Sequence, residues 1–577
     1  MRRSHGDAKE TAMDKDKKPV APKSSAEGDT DSTQKTPPAA AAGNGVPVAG
    51  GKRQYLIAPR RGVLARQAAV TPMSAGDMSN AIDRLPGVEV VRVLAGHKNA
   101  RVMSARPDEA TDTYVVKVDP AHAQILQATA PPEMIVEEDH SLGYGRKPDA
   151  DAGAQLNPQS AFSSAALRQV TIRVLGTDDA PVANAIVEVA ADGFPAKGAT
   201  NAGGEVTLTL VQMSNGPVQS LSVRPAHTYW NSYLVGPSLA SDQVNIVKLA
   251  PLWLPNRNVP PFAPLGWGQR LMGLDESPST ASGAGVRVAI IDSGADTSHP
   301  LLGHILRGAD MTNEQDPATW KTDVIGHGSH CAGVIAARIG EQAKTESIAM
   351  RGFAPDAEIH VLKVFPSGQY STLIEALDYC INHDIDVVNM SLGAPQPSLA
   401  VEQKLIEAVQ SGVACIVAAG NSGGPVQYPA ASPYVLAVSA LGLHRELPAS
   451  AWEQTQVVAQ TLTADGLFSP TFSCHGPQIG VCGPGVGIVS TVPGAAFNPE
   501  SGTSMAAPHI TGLAALLLSD PHLAGYLGPR GPQRVAALFQ LIRMICTPVS
   551  ANDPSNRFGA GLPRLQNIRR LLPQVYR

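Results

Sequence analysis

A serine hydroxyl becomes a nucleophile only when a neighbouring base takes its proton and a third group holds that base in the right tautomer. This chain carries a candidate for each role. Residues 500–518, E-S-G-T-S-M-A-A-P-H-I-T-G-L-A-A-L-L-L, form a small Ser-Gly-Thr-Ser turn that runs into an apolar helix. Ser504 would then stand on the first helical turn, where free backbone N–H groups favour negative charge. A serine capping a buried helix is the alternative reading of that stretch alone. Residues 286–302, V-R-V-A-I-I-D-S-G-A-D-T-S-H-P-L-L, end an apolar run in an acid and a glycine turn, placing Asp292 at the carboxyl end of a buried parallel strand. Residues 326–337, G-H-G-S-H-C-A-G-V-I-A-A, start a small-residue helix at His327 that can pack closely against a sheet.

The elements around these stretches alternate. After the Asp292 strand and the His327 helix come I-H-V-L-K-V-F, a helix over 371–383, D-V-V-N-M-S-L-G, a helix over 399–411, V-A-C-I-V-A-A-G-N, V-L-A-V-S-A-L and the Ser504 helix. Such alternation specifies an α/β domain, a doubly wound parallel sheet with helices on both faces. Active sites gather at the carboxyl edge of such sheets.

The three motifs, in the order Asp, His, Ser, resemble the subtilisin-like serine proteases, and that order separates them from the chymotrypsin and α/β-hydrolase orders. The resemblance covers residues 267–562. It implies a serine endopeptidase with Asp292, His327 and Ser504 as the triad. It also implies an oxyanion hole made by the side chain of Asn421, in G-V-A-C-I-V-A-A-G-N-S-G, and the backbone N–H of Ser504. A structural asparagine in a glycine turn is the alternative for Asn421. Substrate would lie extended between Ser391, Leu392 and Gly393 on one side and the edge carrying Ser367 and Gly368 on the other, as an added strand. Ser391–Gly393 and Ala418, Ala419, Gly420 and Asn421 would wall the first pocket, with Gln427 near its floor and Ser422 at its rim. No cofactor is implied. Leu301 stands where many relatives carry a calcium-binding aspartate, and residues 337–350 lack their asparagine-rich calcium loop, so the principal calcium site is expected to be absent.

At 577 residues the chain exceeds one core and suggests several domains. Charged residues are 16% and the net charge is −5, which points away from nucleic acid and towards polypeptide partners. No apolar run reaches the ~18 residues of a membrane span. The N-terminus lacks the apolar core of a secretory signal, so standard export is not expected. All six cysteines fall in the protease-like part and read as buried thiols, with Cys474 and Cys482 close enough in sequence to pair. Cys331, four residues after His327, resembles a cysteine of proteinase K-like relatives and reads as structural.

Residues 1–53 lack Leu, Ile, Phe, Tyr and Trp and read as a disordered tail, apart from the Val residues a tail tolerates. Residues 54–145 follow a βαββαβ order that resembles the subtilisin propeptide domain, an α+β inhibitor that ends in V-E-E-D-H. An unrelated small α+β domain is the alternative. Residues 146–165 read as a linker. Residues 166–252 carry short alternating runs between turn residues, a β-sandwich accessory domain. Its role stays open between a substrate-recruiting arm and a spacer. The protease-like domain spans 256–577, with an insertion over 442–466 that could shape access to the cleft.

The expected protein is thus a self-processing zymogen acting on polypeptides, with its own propeptide as intramolecular inhibitor. Two other classes fit the same residues. One is a binding protein whose protease domain only processes itself; the other is a peptide ligase or transferase using the same acyl-enzyme. Turnover of peptides, labelling without turnover, or capture of amines distinguishes them.

Overall fold

The computed structural model describes residues 51–85, 87–96, 109–144, 166–191, 195–212, 217–252, 265–277, 280–313, 315–339, 350–550, 553 and 555–574. The expected linker over 146–165 lies outside them, as does the expected tail save its last three residues. Of those three, Arg53 opens a strand rather than closing a tail, because its backbone pairs with Val118 whatever its side chain.

The N-terminal region contains strands β1 (Arg53–Pro59), β2 (Glu89–Leu94), β3 (Thr113–Val118) and β4 (Met134–Glu138), with helices α1 (Gly62–Gln67), α2 (Ala75–Asp83) and α3 (Pro120–Thr129). The strands form one sheet in the order β2-β3-β1-β4, antiparallel throughout. Period-2 alternation gives this sheet two buried faces. Tyr55 and Ile57 pack with Met78, Ile82 and Leu126 of its own helices, whereas Leu56, Ala58, Val115 and Ile135 face outward onto a core cluster of the large domain. A two-residue strand, β5 (Gly143–Tyr144), follows.

Strands β6 (Ala166–Leu175), β7 (Ile186–Ala190), β8 (Ala196–Ala199), β9 (Glu205–Gln212), β10 (Ser220–Arg224), β11 (Ser232–Val235) and β12 (Val244–Lys248) make two sheets, β11-β10-β7-β8 and β12-β6-β9. Val170, Ile172, Leu208 and Leu210 of one meet Val187, Val189, Leu221 and Val223 of the other in a shared core. This is the sandwich arrangement, with β12 running parallel to β6.

The large domain opens with α4 (Trp267–Leu271) and β13 (Arg287–Asp292). It continues through β14 (Arg307–Asp310), α5 (His327–Ala336), β15 (Glu358–Lys363), α6 (Tyr370–Asn382), β16 (Val387–Met390), β17 (Leu392–Gly393), α7 (Leu399–Gln410), β18 (Ala414–Ala418), β19 (Leu436–Leu443), β20 (Leu467–Phe468), β21 (Ile479–Pro484), β22 (Ile488–Val492), β23 (Ala496–Glu500) and α8 (Thr503–Ser519). The eight-stranded sheet runs β14-β15-β13-β16-β18-β19-β20, with β21 also pairing β19. Its pairs are parallel except β19–β20. Alternate residues of one strand serve opposite faces: Val288 and Ile290 join the cluster under α5 and α8, while Ala289 and Ile291 join the cluster under α6 and α7. The N-terminal sheet covers that second cluster from outside. Among the described residues no helix is long and apolar enough to cross a membrane.

Helix α8 is buried along nearly its whole length, so its neighbours approach closely. A Cβ on Gly512 would stand 2.5 Å from the Cβ of Phe353. Gly512→Ala should therefore lower stability by about 1–3 kcal/mol through overpacking, outweighing the ~1 kcal/mol that alanine gains over glycine in a helix. Urea unfolding followed by tryptophan fluorescence checks this; a raised midpoint would refute the close-packing account.

Candidate active site

Asp292 is the last residue of β13 and fully buried. Its carboxylate accepts from the backbone N–H of Ser293 at 2.7 Å and from Nδ1 of His327 at 2.8 and 3.0 Å. His327 begins α5, directly after Gly326, whose φ of 87° is left-handed and suits a residue without Cβ. Burial alone would lower the imidazole pKa. The charge and hydrogen bond of Asp292, with smaller contributions from Glu500 and Asp323, overcome it and raise the pKa to about 9. The ring's other nitrogen, Nε2, is buried and makes no hydrogen bond to the described residues.

Asp323 is a site residue that the sequence reading missed. It is buried, and one oxygen accepts from Ser293 Oγ at 2.9 Å and from the N–H groups of Ile325 and Gly326. The other accepts from the N–H and hydroxyl of Ser329 at 2.8 and 2.7 Å. Ser293 Oγ in turn accepts from the N–H of Gly328 at 2.9 Å. Asp323 thus ties the turn before α5 to the strand end that carries Asp292. Burial raises its pKa, and these donors act against that rise. An acid three residues before the Gly-His pair was the available signal.

Ser504 lies on the first turn of α8 as expected. Its hydroxyl donates to the carbonyl of Ser391 across 3.5 Å, and Ser391 Oγ donates back to the carbonyl of Ser504 at 2.9 Å. The side chain of Ser391 therefore faces α8, with Asn389 Nδ2 donating to it at 3.0 Å. Only its backbone remains available to the cleft. Asn421 Oδ1 accepts from the N–H and hydroxyl of Thr503 at 2.8 and 2.9 Å, which fixes the amide and leaves Nδ2 as a buried donor without a partner among the described residues. A Cβ on Gly502 would lie 3.2 Å from that Nδ2 and 3.6 Å from the N of Ser504. Both nitrogens thus lie within 3.6 Å of one point that the glycine leaves open.

A cavity of about 210 Å³ adjoins these donors, lined by Leu392, Gly393, Ala418, Gly420, Asn421, Gln427 and Ser504 among others. Ser391 and Ala419 do not line it. Ala419 packs instead with Cys474 and Ile479 behind the wall. Ser422 is exposed, and its hydroxyl meets Cys474 at 3.1 Å.

The slot beside the cavity holds the chain's own backbone. Tyr144 and Gly143 pair antiparallel with Leu392 and Gly393. On the other side Leu142 N–H donates to the carbonyl of Gly368 at 2.8 Å, and Tyr370 N–H donates to the carbonyl of His140 at 3.1 Å. Ser367, next to Gly368, is exposed. The ring of Tyr144 lies 5.5 Å from that of His327 and 5.1 Å from that of Phe365. Gly145 lies outside the described residues. Upstream, Glu137 accepts from the N–H groups of Leu399 and Ala400 at the start of α7, and Asp139 accepts from Ser371 N–H at the start of α6. Two helix N-termini are thus capped by carboxylates of the N-terminal region.

All six cysteines are buried and unpaired, Cys474 and Cys482 included. Asp292, His327 and Cys331 bring possible metal-ligating atoms within 4.8 Å of one another. Burial holds the Cys331 thiol well above its usual pKa, and Nδ1 of His327 is already committed to Asp292, so this trio as it stands is a poor ligand set. Leu301 sits at 2% exposure within an apolar cluster; its side chain offers no oxygen, and its carbonyl accepts from the N–H of Arg338. Residues 340–349, most of the segment expected to lack a calcium loop, lie outside the described residues. The 442–466 insertion, expected at the cleft, makes contact with the sandwich: Ser450 accepts from Tyr233 N–H at 2.7 Å.

Comparison with known proteins agrees with this geometry. The subtilase family pattern matches residues 283–561. Subtilisin of Bacillus pumilus is 38% identical over 247 residues, 41% of this chain and 78% of that protein. Subtilisin E of Bacillus subtilis (strain 168) is 38% identical over 247 residues, 41% of this chain and 56% of that protein. The chain thus spans little more than half the length of several such relatives. A crystal structure of a cold adapted subtilisin-like serine proteinase is 27% identical, covers 49% of this chain and 90% of its own, and aligns with a TM-score of 0.38, a likeness too loose to argue from. On its sequence relationship to the subtilisins, the chain belongs to the subtilase family.

Proposed function

We propose that this protein is a serine endopeptidase that hydrolyses peptide bonds through an acyl-enzyme and is made with its own inhibitor attached. The observation that carries the reading is the extended segment 140–144, which lies between β17 and residues 368–370, shares a cavity with Ser504 and brings the ring of Tyr144 to that of His327. That is how a peptide substrate would lie.

In this reading Ser504 Oγ attacks the scissile carbonyl while Nε2 of His327 takes its proton, and Asp292 holds Nδ1 as the donor. The charge that develops on the carbonyl oxygen is met by Asn421 Nδ2 and the Ser504 N–H. Loss of such a side-chain donor costs about 10²- to 10³-fold in rate, a magnitude that comes from subtilisin itself. His327 then protonates the leaving amine, and water releases the acyl group by the same steps reversed. Gln427 and the small residues of the cavity favour an uncharged side chain there. The N-terminal domain would act first as folding partner and substrate, cut near Tyr144 or Gly145, and afterwards as inhibitor.

Four outcomes test this reading. Ser504→Ala and His327→Ala should each abolish peptide hydrolysis with the fold intact, and near wild-type turnover in either would refute the triad. With wild type and Ser504→Ala expressed side by side, intact-mass analysis should find full-length chain in the variant and not in the wild type; equal masses with a fully active wild type would remove the self-processing step.

The base must be neutral to accept a proton, and with the strand seated its pKa is about 9. The imidazole is then protonated at neutral pH and becomes competent only as pH rises through that value. A titration of histidine ¹⁵N resonances in full-length Ser504→Ala should show one ring with a midpoint near 9. A midpoint at or below the ordinary ~6.5 would mean that burial, not Asp292, governs this ring.

We also propose that no calcium ion sits at Leu301, so EDTA should leave the thermal unfolding midpoint unchanged. A drop restored by calcium would reveal a site elsewhere in the chain.

A further inference from the structure

The turn that carries Ser504 is gripped from behind at one residue, Ser501. Its hydroxyl accepts from the N–H of Gly487 at 2.9 Å and donates to Glu453 Oε1 at 2.9 Å. Gly502, next in the chain, donates its N–H to the carbonyl of Gly485 at 2.8 Å. Two routes lead from this point to the β-sandwich. Glu453 belongs to the insertion, whose Ser450 carbonyl accepts from Tyr233 of β11. Trp230, between β10 and β11, is buried as a member of the large domain's core cluster. A Cβ on Gly487 would stand 2.9 Å from its indole ring. Thr228 adds a bond of 3.4 Å from its N–H to the carbonyl of Phe497 in β23, the strand that leads into the turn.

Glu453 is poorly explained as a stabilising residue. It is 2% exposed, and its second oxygen has no hydrogen-bond partner among the described residues. A buried carboxylate with so little compensation costs stability that an apolar side chain of similar size would not. Its one bond holds the hydroxyl three residues before Ser504.

We propose that the β-sandwich and the 442–466 insertion form a brace for the nucleophile turn, with Glu453 and Trp230 as positioning residues that meet at Ser501 and Gly487. The inference rests on Ser504 being the nucleophile. It assigns the sandwich to catalysis by placement rather than to substrate capture, because its contacts reach the back of the turn. A misplacement of ~1 Å at a reacting atom costs about 10²-fold in rate, so a partial loosening would cost tenfold or more.

The test uses protein expressed from the whole sequence and allowed to process itself, with active sites counted by a serine-directed fluorophosphonate and turnover measured on a peptide. Glu453→Leu should lower kcat per labelled site about tenfold or more while KM stays within about twofold and the unfolding midpoint does not fall. Glu453→Gln should retain kcat, because its amide oxygen still accepts from Ser501. Ser501→Ala, measured where its unfolding curve shows a folded chain, should lower kcat as Glu453→Leu does, and the double variant should lose no more kcat than either alone. Trp230→Ala should lower kcat by the second route. Unchanged kcat per labelled site in both Glu453→Leu and Ser501→Ala overturns the brace. So does a raised KM at constant kcat in Trp230→Ala, which would make the sandwich a recruiting arm. Wild type that neither takes the probe nor turns over refutes the nucleophile reading instead.

Discussion

The hydrogen bond between Asp292 and Nδ1 of His327 is the constraint on which the rest of the site depends. Both groups are buried, and burial works against charge on each. The pair survives because the carboxylate also accepts from Ser293 N–H and because Asp323 fixes the turn on which the imidazole rides. A second buried carboxylate close to the first is unfavourable by itself, and the charge of Asp292 helps raise the pKa of Asp323. Five donor groups on residues 293–329 offset that cost. The arrangement leaves His327 oriented on one side by its bonds to Asp292 and, among the described residues, by none at Nε2, the nitrogen that exchanges a proton in the proposed mechanism.

The same logic of unsatisfied backbone groups governs how the N-terminal domain sits. Helices α6 and α7 start at the surface of the second core cluster, and each presents free N–H groups there. Asp139 and Glu137 meet them, while the outer face of the N-terminal sheet covers the apolar residues between. Cap positions are fixed by helix geometry, so the two carboxylates also set the register of the strand that follows. Residues 140–144 leave Asp139 already aligned with the cleft, and pairing with Leu392 and Gly393 completes the alignment.

How much of this could be read from residues alone follows from how local each signal is. Asp292, His327, Ser504 and Asn421 stand at strand ends and helix starts, where residue type and periodicity reveal both the element and its exposed end. The alternation that specified the parallel sheet is equally local. Ser391 was expected in the cleft wall, but it does not line the cavity: its hydroxyl is turned to α8, a contact between residues more than a hundred apart in sequence. Ala419 faces inward for the same kind of reason. Asp323 sits in a loop without periodic context, and past the end of β19 the 442–466 insertion has short 3-10 turns as its helical elements, so nothing in its pattern showed which side it would turn to. Arg53 began a strand because pairing recruits backbone, which composition does not report.

The interface between the N-terminal domain and α7 contains a buried charge network, and its composition bears on whether that domain can leave. Arg61 pairs with Glu407 at 2.8 Å, while Lys404 pairs with Glu407 at 2.8 Å and with Asp378 at 2.7 Å. Removing one partner from a buried pair is usually costly, because the remaining charge stays without compensation. Here Lys404 lies on the same helix as Glu407 and would stay with both acids if Arg61 departed. Water would reach the acids at the same moment, since departure of the domain is what uncovers them. The network therefore strengthens the closed state through Arg61 without making the open state intolerable. The inhibitor role proposed above, with its later release, would require that balance, and an apolar contact in place of Arg61 would supply only the first half of it.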